Sequence, residues 1–173
     1  MFTILYLSES GRMEFNETRY GKALDYFERA YRIQPDNQRI HDLLARSLGG
    51  YSLTVSPGLI LEKIMEYDTS FSAVTDEGIY VLVKLQTYLS LFGEAFQLKD
   101  GKTGEKYLAE FEAMIEANPE AEIDHMQIGR AYASAAIYYY RQGRINKSKQ
   151  DVERGLEYAP GNIELKLMMN SYD

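Results

Sequence analysis

The sequence predicts an all-α fold, and three observations predict it. Apolar residues recur at three- and four-residue steps along most of the chain, the period of one helix face. Pro, Gly, Asn and Asp gather between those runs, where helices end and begin. Nowhere does a convincing stretch alternate apolar and polar residues in the period-two manner of a half-buried strand.

Nine helices follow, joined by short turns. The first carries Leu7, Gly11 and Phe15. The second, "YGKALDYFERAYRI", sets Tyr20, Ala23, Leu24, Phe27, Ala30, Tyr31 and Ile33 on one stripe and stops at Pro35. Asp36 and Asn37 stand ready to start the next, "QRIHDLLARSL", whose Ile40, Leu43, Leu44 and Leu48 lead to a stop at Gly49-Gly50. Ser56-Pro57 reads as an N-cap with proline at the first helical position, opening a shorter helix to about Tyr67. Thr75-Asp76 starts the longest apolar-rich helix, through Tyr80, Leu85, Leu89 and Phe92 to Leu98. Asp100-Gly101 turns the chain, and Thr103 is the expected cap of the helix carrying Phe111 and Ile115 to Asn118-Pro119. The next runs from near Ala121 to Gln142, where Gly143 offers a left-handed residue to end it. Another spans Ile145 to Tyr158 before Pro160-Gly161, and a last one follows Asn162 with Ile163, Leu165, Leu167 and Met168.

At 173 residues the chain has the length of one domain and can bury a sizeable core. Its 15 tyrosines, with no tryptophan, suggest helix interfaces filled by long rings whose hydroxyls reach solvent. The net charge of −7 argues against nucleic acid, which needs clustered Lys and Arg. Much of the acidity lies between Glu105 and Asp124, read as a solvated face plus acids at a helix start. Cysteine is absent, which removes disulfides and thiolate metal sites. The opening "MFTILYLSES" is too short in its apolar run for a signal peptide, and no run approaches a membrane span. A soluble location is expected, cytoplasmic before periplasmic, with a piece of a larger exported protein as the alternative.

Self-similarity organises these helices. In the first pair Leu7, Gly11, Phe15, Tyr20, Ala23, Phe27, Ala30 and Pro35 follow one another at set intervals. In "AIYYYRQGRINKSKQDVERGLEYAPGN" and just before it, Tyr132, Ala136, Tyr139, Gly143, Ser148, Val152, Gly155 and Pro160 do the same, and Gly11 to Pro35 equals Ala136 to Pro160. This order resembles the tetratricopeptide repeat (TPR), a helix–turn–helix unit with a W-x₂-L-G-x₂-Y…A-x₃-F…P pattern. Leu7 and Tyr132 take the Trp slot, Gly11 and Ala136 the Gly slot, and Phe15 falls one place beyond the Tyr slot that Tyr139 fills. The middle departs: Pro35 to Pro119 is not a whole number of repeats, and Tyr107 stands where a small residue belongs. The resemblance implies a single α-solenoid of about four helix pairs (2–35, 37–68, 75–119 and 121–160, the middle two divergent) with a capping helix at 162–172.

Enzymatic signatures are missing. "DGKTGEK" ends like a phosphate-binding loop, but Phe96 stands where that motif needs glycine, and a helix precedes it instead of a strand. His41 and His125 lie on different helices without metal-ligand spacing, and each reads as a surface or satisfied interface histidine. No nucleophile elbow or paired-carboxylate signature stands out. The expectation is a non-enzyme without cofactor or metal.

The TPR resemblance implies protein–protein interaction, with the first helix of each pair lining a concave groove. The family's groove slots carry over to Ser8, Arg12, Phe15 and Asn16 on the first pair and to Arg39, Asp42 and Arg46 on the second. Phe92 and Phe96 follow on the third, then Arg130, Ile137, Tyr140 and Arg141 on the fourth. Arginine forks suit carboxylates, and rings give rigid contact area, so the expected partner segment has acidic and apolar residues. The blander alternative is an Asp42–Arg46 pair four residues apart and phenylalanines in the core. The carboxylate clamp of chaperone-binding TPR domains is not expected, because its Lys and Asn slots hold Ser8, Arg12 and Leu43. Two competing roles are self-association through a terminal helix or apolar edge, and a regulatory domain of a larger envelope or signalling protein. The run Tyr138-Tyr139-Tyr140 cannot share one face, since successive helical residues are about 100° apart. Tyr139 is expected inside the pair, Tyr140 toward the groove beside Arg141, and Tyr138 against a neighbouring element or water.

Overall fold

The computed structural model describes residues 2–75 and 78–172. Among them are nine helices and no strand: α1 (Phe2–Asn16), α2 (Tyr20–Ile33), α3 (Gln38–Ser52), α4 (Pro57–Ser70), α5 (Gly78–Gln97), α6 (Gly101–Ala117), α7 (His125–Arg141), α8 (Ile145–Tyr158) and α9 (Ile163–Asn170). The expected start at Thr75-Asp76 falls at its second residue outside the described residues. No helix among those described is long and apolar enough to cross a membrane.

Two compact units form, Met1–Thr87 and Tyr88–Asp173. In the first, α1 packs on α2, α2 on α3 and α3 on α4 around Leu7, Leu24, Phe27, Leu44, Ile64 and Tyr67. Glu28 of α2 is buried there, accepting from the Tyr67 hydroxyl at 2.9 Å and from Lys63 Nζ at 3.0 Å. Burial, together with the Glu28 carboxylate, pushes the Tyr67 phenol well above its ordinary range, so it stays a neutral donor. In the second unit α6 packs on α7, α7 on α8 and α8 on α9. The Phe92 ring sits 5.6 Å from both Phe111 and Tyr132 at its centre.

One turn recurs three times. Thr18, Lys99 and Gly143 each adopt a left-handed backbone, with φ of 60°, 65° and 72°. Each amide donates to the carbonyl three residues back, and the following amide to the carbonyl five back: Thr18 to Phe15 and Arg19 to Glu14, Lys99 to Phe96 and Asp100 to Ala95, Gly143 to Tyr140 and Arg144 to Tyr139. These are Schellman endings, which satisfy the last carbonyls of a helix and reverse the chain. The link to the next pair also repeats. Asn37 and Asn162 cap α3 and α9 through their side chains, and Ile40 and Leu165 plug the core three residues later.

Counting from the left-handed residue corrects the register of the third pair. Gly104, not Tyr107, occupies the small slot held by Ala23 and Ser148, and a Cβ there would lie 2.8 Å from the Phe96 ring. The expected alignment fails because α6 has 17 residues where α2 and α8 have 14, so counting back from Pro119 falls about a turn short. Two helix signals also need correction. Gly49-Gly50 does not stop α3, which runs to Ser52; the missing Cβ of Gly50 instead makes room for the Tyr20 ring. The cap of α6 is Asp100, whose carboxylate accepts from the Thr103 amide at 3.1 Å.

The acidic run is only partly a solvated face. Glu105 and Glu112 accept from the hydroxyls of Tyr139 and Tyr132, at 2.5 and 2.7 Å, in an antiparallel pairing with seven residues between rungs on each helix. Arg154 approaches Glu116 at 3.5 Å from α8. Burial first, then the neighbouring carboxylate, raises both phenols far above their usual range. The reading as helix-start acid holds for Asp124, which caps α7 by accepting from the Met126 amide at 2.8 Å.

Candidate functional site

Within the second unit a trough runs between α5 and α7. The stripe Arg130, Ser134, Ile137 and Arg141 forms one wall, at steps of four, three and four residues that hold them on one helix face. Gly93, Gln97 and the edge of Phe96 form the other. Midway, Gln97 Nε2 donates to Ser134 Oγ at 3.2 Å, joining the walls. On one side of that bridge lies a cavity of 580 Å³ between Phe96, Ile137 and Tyr138, with Lys99, Arg141 and Gln142 at its mouth. On the other side is a shallower hollow of 320 Å³ with Gln127, Arg130 and Glu94.

The electrostatics of the two ends differ. No acidic residue lines the larger cavity, and Lys99, Arg141 and Arg130 have no acidic partner within ion-pair distance among the described residues. Glu94 shares the hollow with Arg130 and offsets its charge. Lys99 reaches the cavity because the left-handed turn throws it out past the end of α5.

A second, smaller hollow of 230 Å³ lies within the first unit between α1 and α3, lined by Ser8, Arg12, Arg39, Ile40 and Leu43 among others. Arg12 is committed there to Glu9 at 3.2 Å, whereas Arg39 is exposed without an acidic partner among the described residues. Asp42 and Arg46 pair with each other at 2.8 Å through both carboxylate oxygens, as the blander reading had it. Phe15 is half-buried with its ring edge-on to Tyr20 at 5.3 Å, and Asn16 is exposed beyond the hollow.

Four of the residues carried over from the repeat therefore meet in the α5–α7 trough: Phe96, Arg130, Ile137 and Arg141. Phe92 does not face it; its ring is fully buried among Phe111 and Tyr132. Phe96 is 2% exposed and forms floor more than surface. The tyrosine expectation holds at Tyr138, which meets a neighbouring helix, and fails at Tyr140, which does not line the trough. Tyr138 lines the cavity against Phe96 at 5.4 Å, while Tyr140 is half exposed beside Tyr172, ring centres 6.1 Å apart. Tyr139 is buried inside the pair, as expected. Gln97 and Lys99 escaped the sequence reading, because Lys99 gives no glycine-like signal of the turn that sets their register; Ser134 on α7 was passed over as well.

The histidines are engaged in structure. His41 donates from Nε2 to the Pro35 carbonyl at 2.5 Å, and His125 from Nδ1 to the Tyr158 carbonyl at 2.6 Å. Among the described residues no three His, Cys, Asp or Glu side chains converge as a metal site.

The chain has no match among family models, curated proteins or solved structures.

Proposed function

We propose that this chain is a protein–protein interaction module built as a TPR-like α-solenoid, and that it holds a partner segment in the α5–α7 trough. The repeated turn at Thr18, Lys99 and Gly143 supports the architecture, since it gives three helix pairs one register. The observation that carries the function is the trough's character. A chain of net charge −7 holds Lys99 and Arg141, without acidic partners among the described residues, around a cavity walled by Phe96, Ile137 and Tyr138. A cation left free at a concave apolar site is suited to an incoming carboxylate, with the apolar floor supplying contact area.

The test is affinity capture from the source cell with the wild-type chain and with Arg141→Glu. The reading predicts that the charge reversal abolishes capture of the principal partner while helical circular dichroism is unchanged. Arg46→Glu, which disturbs only an intrahelical pair, is predicted to leave capture intact. Undiminished capture by Arg141→Glu would overturn the assignment of this trough.

A further inference from the structure

The trough's chemistry specifies its ligand more narrowly, on the reading that it binds a partner segment. We infer that it recognises an extended peptide in which an aromatic or aliphatic side chain and a carboxylate stand two residues apart. The apolar side chain enters the 580 Å³ cavity between Phe96, Ile137 and Tyr138, whose volume is ample for one large ring. The carboxylate meets Arg141 and Lys99 at the mouth.

The spacing comes from geometry. Ile137 and Arg141 are one turn apart on α7, about 6 Å along its axis. An extended chain advances about 3.4 Å per residue, so about two residues cover that rise. The Gln97–Ser134 bridge favours an extended backbone over a helix. Gln97 spends one amide hydrogen on Ser134 Oγ and keeps its carbonyl and second hydrogen for a peptide crossing above it. Only an extended segment has main-chain groups free to use them. Beyond the bridge, Glu94 faces Arg130 across the hollow, so that end adds no preference for a second acid. Selectivity is therefore concentrated at one end, where both cations stand clear of acids among the described residues.

A peptide library displayed on phage and selected against the immobilised chain tests this. Wild type is expected to enrich sequences with Asp or Glu two residues from Phe, Tyr, Leu or Ile. Arg141→Glu with Lys99→Glu is expected to replace the enriched acid by Lys or Arg at the same spacing, leaving the apolar residue unchanged. Such a switch reports recognition, because a merely unfolded variant would enrich nothing. A synthetic peptide of the selected sequence should bind Arg141→Glu roughly ten-fold more weakly or worse, as loss of a charge-assisted contact implies. Enrichment with another spacing, or the same acidic sequences on both proteins, overturns this inference and leaves the interaction module standing. If wild type of native helicity enriches no peptide at all, both fail.

Discussion

The pairs α1–α2 and α7–α8 share one backbone register and fill it by different means. In the first, Gly11 lets the Phe27 ring reach the α1 backbone; a Cβ there would stand 2.6 Å from the ring. In the second, the same two slots hold Ala136 and Val152, both fully buried, so a methyl and a smaller side chain divide the space that one ring takes. The small slot differs as well. Ala23 is inert, whereas Ser148 donates to the Ala136 carbonyl at 2.6 Å and accepts from the Tyr172 hydroxyl. The turn is left-handed at Thr18 in one and Gly143 in the other. A helix pair of this kind fixes the summed volume across its seam and the hand of its turn, and leaves the residues that meet those conditions free to vary.

The largest effect should come from breaking the steric division at the first seam. Gly11→Ala forces the Phe27 ring aside and is expected to cost about 2 kcal/mol in urea unfolding, the range for overpacking a core. Phe27→Val alone should cost a similar amount by leaving a cavity. Together they reproduce the Ala136–Val152 combination, and the double variant should be less destabilised than the sum by about 1 kcal/mol or more. Strict additivity would show that the two seams are not alternative fillings of one shape.

Next in size is the turn. Gly143→Thr imposes on α7–α8 the residue that α1–α2 carries, and should cost about 1 to 2 kcal/mol, because a β-branched side chain is strained at positive φ. The reciprocal Thr18→Gly should gain less, up to about 1 kcal/mol, since glycine also widens the unfolded ensemble. Thermal unfolding of both proteins checks the pair of signs. Equal signs would mean that the left-handed residue does not govern these turns.

Those same positions explain what the sequence revealed. The all-helical character and most helix ends were legible, because proline, glycine and asparagine act locally and the apolar stripes are long. The third pair was illegible for a particular reason. Its left-handed residue is Lys99 and its extra turn lies inside α6, so neither the start nor the length of the pair is marked by residue type. Phe92 was thereby set one step off, and Gln97 and Lys99 were passed over. Glu105 and Glu112 read as solvent-facing acids because their tyrosine partners lie on another helix, and only packing brings the two seven-residue ladders together. Of the trough, Arg130, Ile137 and Arg141 on α7 and Phe96 on α5 were readable, whereas Ser134, Gly93 and Gln97 were not.

The smallest expected effect concerns a position where the pairs differ in polarity. Eight residues beyond the left-handed turn, α2 carries Tyr26 and α6 carries Tyr107, but α8 carries Asp151, buried at 3% exposure. Its Oδ1 accepts from Lys147 at 3.0 Å, while Oδ2 is buried without a hydrogen-bond partner among the described residues. Desolvation raises its pKa; Lys147 opposes the shift, and Glu112 and Glu105 reinforce it. The sign of the linkage follows. A carboxyl whose folded pKa lies above the unfolded value holds its proton more firmly when folded. Stability then falls as pH rises from roughly 4, the unfolded value, through the raised folded one, and the full cost persists at neutrality. Asp151→Asn keeps an oxygen for Lys147 and removes the buried charge. It should stabilise the chain by up to about 1 kcal/mol at neutral pH, and flatten the decline of stability between acid and neutral pH. Urea titrations of both proteins across that range decide it. If Asp151→Asn is instead destabilised by the same amount at every pH, the carboxylate is favourable where it lies, and α8 gains from the polarity that α2 and α6 avoid.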